Sequence, residues 1–410
     1  MKSKNFIPYI LSLLILILLI GLTVGNLYLA ERFQIRDKFA VRYAAAKLWM
    51  GKGISPYSPE VSNTASEILI ERNFEIVNPE DLAILEPVFF VLLYLPFALL
   101  KYDLSRAIWL TLIELSIMAT MFLSIRIAGW KIRNIEMIIL ILFGLLFYPG
   151  VKSILNGNPL PISIFLFTLA IYFILIKQET SAGIILAFAT SSTELGFIIT
   201  IFLLVWCFSQ KQYMSLLTYF AGLATLFVAS ILLFGNWIPE WLSVFLRIYP
   251  GYTWISTPIM RITSAFKGGQ VALNYIFHIS LFIYMLFEWF GAFGKKARIF
   301  VWKVLLTLVI VYLINLWSKP EYLFLLIPGL FFIMRFLNER WRIIGKIVGW
   351  LIVLIILAVY WLIFTQKGDW FSVEPSAVLL LLPLIVFIGL QWIRWWALKL
   401  PDVRDQNYYY

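Results

Sequence analysis

The sequence predicts an all-α, polytopic integral membrane protein, and three observations support this fold class. Hydrophobic residues make up 62% of the 410-residue chain and charged residues only 13%, fractions far from those of soluble domains. The apolar residues are grouped in runs close to the length of a membrane-spanning helix. Many Lys and Arg residues stand in short segments between those runs, as in the cytoplasmic loops of membrane proteins. We therefore expect a single transmembrane domain over residues 1–410.

About twelve transmembrane helices are expected when the apolar runs are divided at charges, prolines and glycines. They are predicted over residues 6–30, 84–100, 104–129, 133–149, 160–176, 182–208, 213–235, 270–292, 299–317, 319–336, 344–365 and 376–398. Several of these runs are short, so the expected range is about ten to thirteen spans. The first run is expected to be an uncleaved span with a cytoplasmic N-terminus, which places both termini in the cytoplasm of a plasma-membrane protein.

Two connections are too long to be turns between packed helices. They cover residues 31–83 and 236–269, and an even number of spans separates them, so both are expected on the extracytoplasmic face. Apolar residues in the first loop recur at helical spacing, which predicts a short helix in the headgroup region; they are Phe39, Tyr43, Ala46 and Met50. The second loop is rich in Trp and Tyr, which suits either sugar stacking or an ordinary interfacial belt, and we favour the belt.

Charge and cysteine content narrow the possible partners and cofactors. The net charge of +11 is best explained by loops beside anionic lipid headgroups, so membrane lipids and not nucleic acid are the expected partners. The chain has one cysteine, Cys207, and one histidine, His278, and neither a disulfide framework nor a metal-ligand cluster follows from them. No phosphate-cradling glycine loop is found. We therefore expect no cofactor, and the need for a divalent ion stays open.

Ionisable residues at membrane depth are costly, so each is a functional candidate until a structural partner is found. They are Glu114, Arg126, Glu136, Glu194, His278, Glu288 and Lys303. Glu194 lies in a polar patch, Thr190–Gly196, that interrupts an apolar run. This pattern predicts a broken helix beside a cavity, or equally a polar contact between helices. Asp37 follows the first span, where an acid taken alone most often stabilises a helix N-terminus.

Five groups of short motifs between Asp37 and Gly329 carry a family resemblance. They are Asp37 with Tyr43–Ala45, Leu48, Gly53 and Ser55–Tyr57; Glu86–Phe90 with Leu95–Leu100; Asn156–Leu160; Ala182–Thr190; and Ser318–Tyr322 with Leu325–Gly329. Together they resemble glycosyltransferase family 87, whose members are GT-C-type membrane enzymes that use polyprenyl-phosphate sugars. Glu86, Glu194 and Glu321 stand where that family usually has other residues.

The resemblance implies a GT-C architecture and transfer of a mannose-like hexose or a pentose to an extracytoplasmic glycan or lipid acceptor. Inverting transfer needs one carboxylate as the base and positive charge to stabilise the departing lipid phosphate. By resemblance Asp37 is the base. The residues expected to bind substrate are Tyr43, Tyr57, Glu86, Asn158, Glu194, Arg261, Lys267, Lys319 and Glu321, of which the three cations are the expected phosphate ligands.

Two other functions are compatible with the sequence. The interrupted run at Glu194 and the scattered intramembrane charges suit a transporter or lipid flippase, although no second broken segment forms the paired pattern common in transporters. A catalytically degenerate GT-C homologue is the third possibility, because motif residues of the family are replaced at Glu86, Glu194 and Glu321.

Overall fold

A computed structural model describes residues 7–32, 37–74, 82–190, 196–248, 269–291, 297–314, 320–365 and 378–397. Every regular element in these ranges is a helix, so the expected all-α class is confirmed. The chain divides into two compact units. The first comprises Met1–Ser116, Ser153–Pro159 and Ser230–Ile248, and the second comprises Ile117–Lys152, Leu160–Ala229 and Tyr249–Tyr410.

The described residues form sixteen α-helices. Numbered in chain order, the α-helices are α1 (Ile7–Arg32), α2 (Phe39–Lys52), α3 (Pro59–Glu71), α4 (Leu95–Ala98), α5 (Tyr102–Ile127), α6 (Asn134–Leu146), α7 (Tyr148–Leu155), α8 (Leu160–Leu175), α9 (Glu179–Thr190), α10 (Gly196–Ser209), α11 (Tyr213–Phe234), α12 (Ile238–Ile248), α13 (Gln270–Phe290), α14 (Ala297–Ile314), α15 (Ile327–Thr365) and α16 (Leu381–Trp396). Within the described ranges, 3-10 helices cover Val88–Tyr94, Pro320–Leu326 and Val378–Leu380.

Five described helical segments are long and apolar enough to cross a membrane, or six when the bent pair α6–α7 is counted as one span. The five are Tyr102–Ile127, Tyr213–Phe234, Val271–Phe290, Pro320–Leu362 and Val378–Trp396. Further apolar helices are shorter, between 10 and 17 residues in their described parts. A membrane protein is therefore supported, while the count of twelve spans stays a prediction.

The stretch predicted as a span over residues 84–100 forms no long helix. It contains the 3-10 helix Val88–Tyr94 followed directly by the four-residue α4. At rises of about 2.0 and 1.5 Å per residue, these eleven residues extend about 20 Å, less than the roughly 30 Å of a hydrocarbon core. Pro87 and Pro96 each lack a backbone N–H, which interferes with a continuous helix.

The predicted break near Glu194 is flanked by two separate helices. The sequence predicts one span over 182–208 that is interrupted by a polar patch. In the structure α9 ends at Thr190 and α10 begins at Gly196. Glu194 itself lies outside the described residues. The two hydroxyls of Thr190 and Thr200 lie 2.7 Å apart across the junction. A Cβ at Gly196 would come within 2.6 Å of the Phe167 ring, so glycine permits close packing of α10 on α8.

The two spans predicted over 319–336 and 344–365 are joined by a sharp reversal inside α15. Arg342 has φ 48° and ψ −117°, which is not helical. A Cβ at Gly345 would lie 1.9 Å from the carbonyl oxygen of Leu337, whereas residues eight apart in a straight helix are separated by about 12 Å. A Cβ at Gly349 would likewise meet Met334 at 3.4 Å. α15 therefore consists of two helices folded back on each other at Arg342.

The first compact unit is built around α2. The sequence predicts this helix at the membrane surface, yet all residues from Phe39 to Ala46 are buried. Three consecutive alanines, Ala44–Ala46, allow α3, α4 and the 3-10 helix Val88–Tyr94 to approach it closely. α2 ends at Lys52 and is capped by Gly53, which adopts the left-handed conformation with φ 67°. α2 is thus a core helix of this unit, and its position at the membrane surface stays a prediction.

Candidate functional site

Asp37 lies immediately before α2 and is completely enclosed. Its Oδ1 accepts a hydrogen bond from the backbone N–H of Phe39 at 2.8 Å, as expected of an acid at a helix N-terminus. Its Oδ2 accepts the Tyr102 hydroxyl and lies 2.6 Å from Nε of Arg106. The Asp37 side chain is 0% exposed and that of Arg106 is 2% exposed. The carboxylate is therefore held by three groups from α2 and α5.

Arg106 is the charged partner of Asp37, and its donors are only partly satisfied. Nη2 donates to the carbonyl of Leu155 at 3.1 Å, and the guanidinium lies 4.9 Å from the Phe74 ring centre. Nε is close enough to Asp37 for an ion pair but lacks hydrogen-bond geometry, and Nη1 has no hydrogen-bond partner among the described residues. A buried guanidinium with unused donors is suited to bind an anion.

The turn Asn156–Asn158 packs directly against Asp37. The backbone N–H of Lys38 donates to the carbonyl of Asn156 at 2.9 Å, and Trp109 Nε1 donates to the carbonyl of Gly157 at 2.9 Å. Gly157 adopts φ 59°, and a Cβ there would lie 2.9 Å from Asp37 Oδ1. Two motifs that are 119 residues apart in sequence, by their numbers 37 and 156, thus form one site. Asn158 is buried in this turn.

A second ion pair joins Arg42 of α2 to Glu86. Arg42 forms a salt bridge with Glu86 through Nη2 and Oε1, and its Nη1 donates to the carbonyl of Lys38. The Arg42 and Glu86 side chains are 11% and 20% exposed. Glu86 is thus the less enclosed of the two candidate carboxylates in this unit.

Tyr43 and Tyr57 use their hydroxyls within the protein. Tyr43 donates to the carbonyl of Leu100 at 2.9 Å, and Tyr57 donates to the carbonyl of Glu86 at 2.8 Å. Burial and the nearby carboxylates of Glu86 and Glu240 raise the pKa of Tyr57 above its usual range. Both phenol hydroxyls therefore donate hydrogen bonds that hold α2 and the following turn in place.

Five further candidate residues remain, of which the structure describes one. Glu321 is buried in the 3-10 helix Pro320–Leu326 of the second compact unit. The other four lie outside the described residues: Glu194, Arg261, Lys267 and Lys319. The structure thus brings together Asp37, Tyr43, Tyr57, Glu86 and Asn158 in one compact unit.

Sequence reasoning did not select Tyr102 and Arg106, which complete the Asp37 site. They are four residues apart at the start of α5 and therefore lie on one face of this helix. Arg106 is a charged residue within the apolar run predicted over 104–129. This position could have identified it as a candidate functional residue.

Several charges at membrane depth have structural partners. Within the first unit, Asn26 Nδ2 donates to Glu114 at 3.0 Å and to Thr111 at 3.1 Å, which ties α1 to α5. The pairs in the second unit are Glu136 with Lys346, Glu288 with Lys303, and Glu288 with Arg394. These contacts favour the structural interpretation of those residues.

Residues 236–248 of the second long loop also belong to the first unit. Trp241 of α12 donates its Nε1 to the carbonyl of Leu85 at 2.9 Å, and Trp237 lies 6.4 Å from the Tyr57 ring, nearly parallel to it. The two loops predicted on one membrane face are therefore in direct contact through aromatic side chains.

No group of three His, Cys, Asp or Glu residues within the described ranges is arranged to hold a metal ion. The site at Asp37 instead combines one carboxylate, one guanidinium with unused donors, and one phenol. Such a set can exchange a proton and bind an anion.

No protein-family model matches this chain, and no significant match is found among curated proteins or solved structures. The resemblance to glycosyltransferase family 87 stays a prediction from its motifs.

Proposed function

We propose that this protein is a membrane glycosyltransferase that moves a hexose or pentose from a polyprenyl-phosphate donor to an extracytoplasmic glycan or lipid acceptor. The observation that carries the proposal is the buried Asp37–Arg106 pair, which is packed against the Asn156–Asn158 turn. A carboxylate and an anion-binding guanidinium are the two groups that this transfer needs. Both belong to a unit that contains the described parts of the two long loops.

The transfer is a single displacement at the anomeric carbon. Asp37 accepts the proton of the acceptor hydroxyl as that oxygen forms its bond to the anomeric carbon. The bond between this carbon and the phosphate oxygen breaks at the same time, and the polyprenyl phosphate leaves with the electron pair. The configuration of the sugar is inverted. A general base contributes roughly 10²- to 10⁴-fold to such a step.

Arg106 is the proposed ligand of the departing phosphate. Guanidinium groups bind phosphate in a bidentate manner, with two parallel N–H···O bonds, and Nη1 of Arg106 has no partner among the described residues. A phosphate at Arg106 competes with Asp37 for the same guanidinium. Donor binding would therefore loosen the ion pair and release Oδ2 for the acceptor hydroxyl, which ties activation of the base to the presence of the donor.

The acceptor must also replace Tyr102 at Asp37. The Tyr102 hydroxyl occupies Oδ2, which is the oxygen that a substrate hydroxyl would approach after the guanidinium turns away. Asp37 is 0% exposed, so the transfer requires a local rearrangement at the start of α2 or α5. The alternative is that Asp37 only stabilises the fold, and substitutions at Asp37 and Arg106 distinguish the two roles.

The test measures release of polyprenyl phosphate from synthetic polyprenyl-phosphate hexoses and pentoses in lipid nanodiscs, with membrane glycolipids as acceptors. We expect Asp37→Asn to lower the rate by about 10²-fold or more. Asp103→Asn is the matched control, because Asp103 lies in α5 beside Tyr102 and has a side chain that is 62% exposed, and it should retain full activity. Asp37→Asn with undiminished activity would exclude the proposed base.

A double variant distinguishes catalysis from folding. Asp37→Asn alone leaves Arg106 buried without its counter-ion, which costs about 3–5 kcal/mol of stability. Asp37→Asn combined with Arg106→Gln removes both charges and should recover much of that stability. If the Asp37–Arg106 pair serves only the fold, activity will recover with stability. If the pair takes part in transfer, with Asp37 as the base and Arg106 as the phosphate ligand, the double variant will be stable and inactive. Lipid movement without release of polyprenyl phosphate would instead favour the flippase alternative.

A further inference from the structure

The last turn of α2 and the first turn of α12 border a cleft in the first compact unit. Its volume is about 710 Å³. It is lined by Trp49, Met50, Gly53, Ser55, Leu233, Phe234 and Glu240. We refer to it as the Trp49 cleft. Twelve residues separate Asp37 from Trp49, which corresponds to about 18 Å along the helix axis. The cleft is therefore distinct from the buried ion pair.

One wall of the Trp49 cleft is aromatic. The Trp49 and Phe234 rings pack against each other with centroids 4.4 Å apart and an angle of 35° between their planes. Both side chains are only partly buried, so their outer surface faces the cleft. Because the rings are packed together, they form a single wall and do not surround a central space. This arrangement suits stacking with a flat apolar face and is unlike the cage that encloses a quaternary ammonium ion.

The polar side of the cleft is a carboxylate. Glu240 is exposed at the start of α12 and accepts a hydrogen bond from the Ser55 hydroxyl through Oε2. An ionised carboxylate has two oxygens and about four acceptor positions, so Glu240 has capacity for further donors. A ligand that fits must present one flat C–H face to the aromatic wall and several hydroxyl donors to the carboxylate. A sugar ring has both.

The position of the cleft bears on whether the bound sugar ring belongs to the donor or to the acceptor. Leu233 and Phe234 are the last residues of α11, a helix of membrane-spanning length, so the cleft lies beside the end of a candidate span. We infer that the Trp49 cleft binds a sugar ring of an extended acceptor glycan, several rings away from the ring that receives the new sugar. This inference rests on the proposed function for the word acceptor, but carbohydrate binding at the cleft does not depend on catalysis.

Saturation-transfer NMR of the full chain in lipid nanodiscs tests the inference. Mannotetraose and maltotetraose serve as probes, and maltoside detergents are avoided because their headgroups are sugars. We expect transfer to ring protons in the unaltered protein and an affinity about tenfold lower for Glu240→Gln, equal to about 1.4 kcal/mol. Trp49→Ala should reduce binding to a similar degree. If Trp49→Ala does not fold, Glu240→Gln provides the result alone, because it preserves the shape of the side chain.

The controls match each substitution. Trp395 is 67% exposed in the second unit, and Trp395→Ala should bind the tetrasaccharides normally. Glu60 is an exposed acid in the first turn of α3, and Glu60→Gln should do the same. Equal binding by the unaltered protein and both cleft variants would overturn the inference, as would absence of binding to both sugars. Binding of choline at the cleft in place of the sugars would also overturn it.

The two proposals fail separately. Asp37→Asn should retain tetrasaccharide binding while it loses transfer. If the cleft binds sugars but no polyprenyl-phosphate sugar is ever consumed, the cleft inference stands as carbohydrate binding and the proposed function is wrong. If transfer occurs while the cleft variants use long acceptors as well as the unaltered protein does, the proposed function stands and the acceptor assignment is wrong.

Discussion

At the scale of single residues, the Asp37 site shows which chemistry a sequence reveals and which it hides. Asp37 stands out in the sequence because it follows an apolar run and begins a group of motifs. Its two partners on α5 come from 65 and 69 positions further along the chain, by their numbers 102 and 106. No local pattern specifies that contact, because it depends on how α5 packs beside α2. The resulting ion pair is the feature on which the proposed function depends.

Gly157 offers a direct test of the packing around Asp37. At φ 59° an added Cβ would lie 2.9 Å from Asp37 Oδ1 and 3.3 Å from Phe39 Cβ, and the latter is part of the buried core. We expect Gly157→Ala to lower stability through both backbone strain and this close contact, by about 2 kcal/mol or more. Chemical denaturation in detergent micelles measures the change.

Gly235 is the matched control for this substitution. It has φ 69°, and nothing lies within 4 Å of an added Cβ. Gly235→Ala therefore introduces the backbone strain alone, with an expected cost of about 1 kcal/mol. Equal losses for the two variants would mean that the Asn156–Asn158 turn does not press against Asp37.

At the scale of elements, apolar periodicity located helices well and their lengths less well. The run over 213–235 became α11 with nearly the same ends, because no proline or buried charge interrupts it. The apolar run over 84–100 forms a 3-10 helix and one α-helical turn. Although the run is hydrophobic, Pro87 and Pro96 lack the backbone N–H groups that a continuous helix needs. α2 contains the four residues whose spacing predicts a helix, from Phe39 to Met50, but its burial depends on neighbours that are distant in sequence.

The reversal inside α15 gives a prediction at this scale. Arg342 adopts φ 48° and ψ −117°, a conformation that is strained for a residue with a Cβ, and its side chain is exposed. Arg342→Gly should therefore raise stability by about 1 kcal/mol, because glycine tolerates this backbone. Thermal unfolding followed by circular dichroism measures the shift in the midpoint.

Arg340 provides a control with the opposite sign. It is also exposed, it lies at the end of the first arm of the hairpin, and its guanidinium is 4.8 Å from the Trp396 ring centre. Arg340→Gly should lower stability by about 1 kcal/mol through lost helix propensity. A destabilising Arg342→Gly would show that α15 does not reverse at that residue.

At the scale of the whole molecule, the sequence predicts a membrane protein and the described helices support one. Five or six helices are long and apolar enough to span a bilayer, fewer than the twelve predicted. Bends between helices account for part of the difference. The chain bends by 56° between α6 and α7, and α15 folds back on itself at Arg342. Hydropathy records where apolar residues occur, but the angle between consecutive helices depends on packing that it does not contain.

Sidedness of the membrane is the whole-molecule property on which the proposed function depends most, because both long loops must face away from the cytoplasm. The chain has one cysteine, Cys207, and it is buried. A Cys207→Ala background therefore suits labelling of single introduced cysteines with a membrane-impermeant maleimide in intact cells. Glu60 in α3 and Lys211 between α10 and α11 are both exposed, and they are expected on opposite faces.

We expect Glu60→Cys to react in intact cells and Lys211→Cys to react only after the membrane is permeabilised. Glu60 belongs to the first long loop, whereas Lys211 belongs to a short basic connection of the kind that stays in the cytoplasm. Permeabilised cells, in which both variants should react, control for accessibility. If Glu60→Cys reacts only after permeabilisation, the unit that contains Asp37 faces the cytoplasm. An extracytoplasmic acceptor would then be out of reach of the base, and the proposed transfer would be excluded whatever the activity of the Asp37 variants.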